Sequence, residues 1–168
     1  MTGTTTLTLG GLLAALLVLI ANLHPWWTGG REMKQLAAFG KGAAAAACAA
    51  ACPGGLLGWA HHHTGAIGNG TGGRVNSAAT GTNASAALSS GQLVGLGVTG
   101  AFVAVLIVFL VALSYKAAGK KDKKRMAGGA FVGSTFLLTA GVAGALQWLP
   151  GALTAAGQGI QAAFEGGM

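Results

Sequence analysis

Residues 91–115 read GQLVGLGVTGAFVAVLIVFLVALSY, 25 positions without one charged side chain. Roughly 20 apolar residues in a helix suffice to cross the hydrocarbon core of a bilayer, and every position from Ala101 to Leu113 is apolar. Such a run reads as a membrane-spanning helix. The whole chain agrees with that reading. Of its 168 residues 52% are hydrophobic and 8% charged, against about 25% charged in soluble domains, so it lacks the polar surface to cover a water-facing globule. Disorder fails for the opposite reason, because disordered chains are poor in apolar residues.

Downstream, Lys116, Lys120, Lys121, Lys123, Lys124 and Arg125 follow at once, relieved only by Asp122. Met126 to Leu149 is again uncharged and ends in Gln147-Trp148-Leu149-Pro150. The spacing predicts a helical hairpin over 91–149, its arms 91–115 and 126–149 joined by a basic turn. In the tail, 150–168, Leu153, Ala156, Ile160, Ala163 and Phe164 recur at helical spacing. That pattern predicts a short amphipathic helix lying on the membrane or against a neighbour.

Upstream, 1–60 reads as a pair of membrane helices. Leu7 to Leu23 carries no charge and meets His24, Pro25, Trp26 and Trp27 at its end, as a span does at an aromatic interface. A cleaved signal peptide would begin with a basic region. Met1 to Thr6 has no charged side chain, so the segment is expected to stay as a span. The second segment, 42–60, is weaker: Ala43 to Ala51 is alanine with one cysteine, and Pro53-Gly54-Gly55 would kink or end a helix there. Residues 61–90, rich in Gly, Asn, Ser and Thr with Arg74 as the single charge, are expected to be an irregular external connector.

Charge decides what hydropathy leaves open. Short cytoplasmic loops carry excess Lys and Arg. With four spans and both termini outside, one inner loop holds Arg31, Lys34 and Lys41, and the other holds the cations from Lys116 to Arg125. Of the ten cations only Arg74 then lies outside. Without the second span the two clusters fall on opposite faces, so the expected architecture is all-α with four transmembrane helices. The expected location is a bacterial inner membrane, with an extracellular filament as the alternative.

Chemistry is sparse. Glu32, Asp122 and Glu165 are the only acids, and all lie outside the predicted spans. No carboxylate pair, activated nucleophile or phosphate-cradling loop is present, so no catalytic role and no cofactor are expected, a bound phospholipid aside. Cys48 and Cys52, at i and i+4, read as small apolar residues of a packed helix. His61, His62 and His63 are adjacent and point in different directions on a helix, which suits interfacial anchoring or solvation better than a metal. The small residues are more telling: Gly91 and Gly95, Gly129 and Gly133, then Ala140 and Gly144 form helix-packing stripes, within the chain or between subunits. The basic turn sets orientation, or contacts lipid headgroups or nucleic acid phosphates.

These features make residues 91–168 resemble the pilin subunits of conjugation and type IV secretion systems: a Gly-rich hydrophobic helix, a basic turn over Lys116 to Arg125, and a second Gly/Ala-rich helix. The resemblance implies a membrane hairpin with its turn inside, whose copies assemble into a tube with lipid retained and the turn facing the lumen. Residues 1–90 depart from it. The function expected is a non-enzymatic, self-associating membrane subunit, pilin-like or a secretion-channel or conjugation-channel component. Its partners would be further copies, membrane lipid and other membrane subunits, with nucleic acid only if the basic turn lines a channel. A small pore-forming or holin-like protein, or an accessory subunit of a large membrane complex, are the alternatives.

Overall fold

A computed structural model describes residues 6–52, 54–83 and 86–166, and over them the chain forms seven α-helices with no strand. Thr8 opens α1 (Leu9–Thr28) by accepting from the Gly11 amide at 3.2 Å. Pro25 sits near its end, and Gly30 and Arg31, both at positive φ, turn the chain out. The alanines of α2 (Met33–Ala51) favour helix at each position, and it stops just before Pro53, which lies outside the described residues. After a sharp bend comes α3 (Gly55–Thr80), closed by Gly81 in the left-handed conformation.

Residues 86–97 run extended into α4 (Val98–Ala117). Two residues, Ala118 and Gly119, separate it from α5 (Lys120–Leu137). Leu138 and Thr139 break the chain again. Thr139 caps α6 (Ala140–Ala145), and Leu146 and Gln147 lead into α7 (Trp148–Glu165).

The core sits around α5, whose Met126, Gly128, Gly129, Val132, Ser134, Thr135 and Leu137 are buried. It runs parallel to α2 at close range and also touches α1 and α3. α1 packs along α3, while α4 lies against α7 and, antiparallel, against α2. The extended stretch straps two helix ends: Leu96 N–H donates to Ala51 O at 3.1 Å, and Gly91 N–H to Leu138 O at 2.9 Å. Carbonyls orphaned at the ends of α2 and α5 are satisfied in this way.

Five expectations change. The four-span architecture does not hold by length and composition: among the described residues α1 and α4 alone are long and apolar enough to cross a membrane, or three elements if the bent pair α2–α3 counts as one broken span. The predicted arm 126–149 fails because its apolar run hides a helix break at Thr139 and because five cations occupy the first two turns of its helix. Segment 42–60 is not one helix but the end of α2 and the start of α3. The connector 61–90 is helical as far as Thr80. The buried residues of α3, Gly58, His61, Gly65, Gly68 and Gly72, fall three and four apart, and the four glycines among them permit close packing that offsets the low helix propensity of glycine. Finally, the arms of the predicted hairpin barely touch, because α4 pairs with α7 and α5 with α2.

Candidate functional site: a basic end below two uncovered apolar faces

Four helix ends meet at one end of the bundle. The last part of α1 lies along α5, with Asn22 filling the space beside Gly128 midway along it, so the end of α1 falls toward the start of α5. The start of α2 is tied to α5 by Arg125, whose Nη2 donates to Gln35 Oε1 at 2.9 Å. The end of α4 joins them at a groove of about 430 Å³, lined by Lys34, Ala38 and Lys41 of α2, Ser114 of α4, and Asp122 and Met126 of α5. Arg31, Lys34, Lys41, Lys116 and the five cations of α5 therefore gather at this end. Arg74 lies far off, on the part of α3 beside the start of α1.

What sequence places in a basic turn belongs to the first two turns of α5. Lys116, Lys120, Lys121 and Lys124 are exposed. Lys123 stands over the Tyr115 ring with its Nζ 5.7 Å from the centroid, a cation–π contact. Arg125 is partly committed, with its Nη1 3.5 Å from Asp122 Oδ1. Lys34 and Lys41, which sequence reading treats only as topology signals, share the groove with this cluster.

The small stripe divides in two. Gly129 faces the Phe39 carbonyl, and Gly133 leaves 3.0 Å between a would-be Cβ and that of Ala46, so both are spent on α2. Gly91 is closed in by Thr139, Ala140 and Ala143. Gly144 has open space around it, and Ala140 and Gly95 are exposed. Sequence reading missed the matching glycines opposite: Gly42 against Met126 and Ala130, and Gly72 against Gly10. The signal was present, since Gly42 stands four residues before Ala46 and Gly68 four before Gly72.

The histidines are not equivalent. His61 is 6% exposed with no partner for its Nδ1, so anchoring or solvation does not describe it. His63 stacks on Trp59 with centroids 4.1 Å apart. Among the described residues no three His, Cys, Asp or Glu side chains could share a metal ion. Cys48 and Cys52 are free thiols, and Cys48 packs with Val103, Ala104 and Leu153.

Above the basic end, α4 turns Phe102, Val105, Phe109, Leu110 and Leu113 outward, and α1 does the same with Leu16, Leu17 and Ile20. Phe109 and Leu110 are 57% and 60% exposed, in a continuous patch of a kind that marks a lipid or protein contact. The comparisons with known proteins add nothing to this. No family model, no curated protein and no solved structure matches the chain. Function has therefore to be argued from these surfaces.

Proposed function

We propose that this chain is a non-enzymatic membrane subunit that self-associates into a larger assembly, a pilin-like or secretion- or conjugation-channel component of a bacterial inner membrane. The observation that carries the reading is the uncovered apolar face of α4, standing directly above the basic end. Apolar side chains so exposed would cost about 25 cal/mol per Å² in water, a cost that lipid or a neighbouring copy removes. Cations gathered at one end favour cytoplasmic placement of that end. Both α1 and α4 run toward it, and α7 packs beside the start of α4, an arrangement consistent with both termini outside. Because Gly129 and Gly133 are occupied by α2, copies would meet through α4 and the open Ala140 and Gly144 rather than through α5.

The test places one cysteine at Phe109 in a Cys48→Ala, Cys52→Ala background. Oxidation in native membranes should give disulfide-linked dimers, and extracted particles should form filaments or rings in electron micrographs. If cysteines at Phe109, Leu110 and Leu16 all stay uncrosslinked, lipid alone covers these faces and self-association is wrong.

A further inference from the structure

We infer that the groove between α2, α4 and α5 is a binding site for a phosphate group, held between the ammonium groups of Lys34 and Lys41. The inference rests on the membrane reading above only for the source of that phosphate.

The two lysines stand seven residues apart on α2, so they project from one helix face two turns apart. Both are exposed, and both line the same groove. The volume of about 430 Å³ falls in the range of small-ligand sites. Ala38 and Met126, both buried, give the groove an apolar floor, and Ser114 adds a hydroxyl from α4.

The start of α5 opens on the same space. Gly119 precedes it without a capping side chain, and the first amide to bond back is Lys123 N–H to Gly119 O at 3.0 Å. The amides of Lys120, Lys121 and Asp122 thus lack intrahelical acceptors at the positive end of the helix dipole. Such an end favours phosphate. The Asp122 carboxylate, which also lines the groove, opposes an anion, but Arg125 stands 3.5 Å from it and offsets its charge.

The groove lies where α4 passes from Phe109, Leu110 and Leu113 to Lys116, the level at which a span leaves the hydrocarbon. An anionic phospholipid headgroup could reach it from the side and a soluble phosphate from the end. Its clamp belongs to α2, outside the residues that resemble pilins.

The experiment follows thermal unfolding of the detergent-extracted full chain while phosphatidylglycerol, phosphatidylcholine or inorganic phosphate is titrated. Phosphatidylglycerol should stabilise saturably and phosphatidylcholine should not. In Lys34→Gln/Lys41→Gln the apparent affinity should fall about thirtyfold, whereas Lys120→Gln/Lys121→Gln, which removes the same charge outside the groove, should cost less than about threefold. Ser114→Leu fills the groove without altering a charge and should abolish saturation. Saturation by inorganic phosphate with the same variant pattern would support the site and assign it to a soluble ligand. Equal losses in the two lysine doubles, undiminished binding in Ser114→Leu, or no stabilisation by either anion would overturn it. Recovery of the chain without detergent would instead sink the membrane reading and leave the phosphate titration valid.

Discussion

At Gly129 a methyl group would land on the carbonyl oxygen of Phe39, and at Gly42 on that of Met126. Backbone cannot give way as a side-chain tip can, so the α2–α5 contact depends on bare Cα atoms. Gly129→Leu should therefore lower the melting temperature sharply, the equivalent of about 3 kcal/mol or more. Gly159→Leu, with nothing within 4 Å of its Cβ, should melt as the parent chain does. Equal melting of the two variants would refute the packing. His61 invites a substitution of opposite sign. Its Nδ1 is buried without a partner, and such a group costs about 1–3 kcal/mol. His61→Leu should raise the melting temperature, while His61→Ala, which leaves a void, should lower it. A lower value for both would mean that the ring makes a polar contact after all.

Pairing at the element level separates the observed bundle from a simple hairpin. Val103 and Leu153 share one apolar cluster, so cysteines at those two positions, in a chain lacking Cys48 and Cys52, should crosslink within one molecule. Val103 and Ser134, which would face each other if α4 and α5 zipped together from their turn, should not. The reverse result would restore the hairpin. The two long apolar helices were legible because Leu, Val, Ile and Phe without charge admit few other readings. α3 was not, since its signal is a stripe of missing side chains at 58, 65, 68 and 72, and hydropathy sees only glycine and polar residues there. The break at Thr139 was also concealed, because a cap depends on one hydroxyl meeting the Val142 amide within an otherwise apolar run. Of the candidate site, the cations at Lys116 to Arg125 were visible in sequence. Charge put Lys34 and Lys41 on the same expected face, but their sharing one groove with this cluster was not visible, because it depends on which helices pair.

For the molecule as a whole, two hydrophobic helices point the same way, and the chain must come back between them. Gly30 lies by the basic end, whereas Thr82 follows the part of α3 beside the start of α1. Single cysteines at those positions should react with an impermeant reagent from opposite sides of the membrane, Gly30 from the cytoplasmic side only. Labelling from one side would overturn the orientation and the cytoplasmic basic end together. The position of α5 in the bundle bears on biogenesis. This helix, against which α1, α2 and α3 are all packed, is synthesised only after α1 to α4. Until it arrives, the Ala-rich face of α2 and the glycine stripe of α3 have no complete partner. The earlier helices must wait for a core that is translated late. A chain stopped at Ala117 should accordingly be inserted and then cleared by membrane proteases within minutes, while the full chain persists.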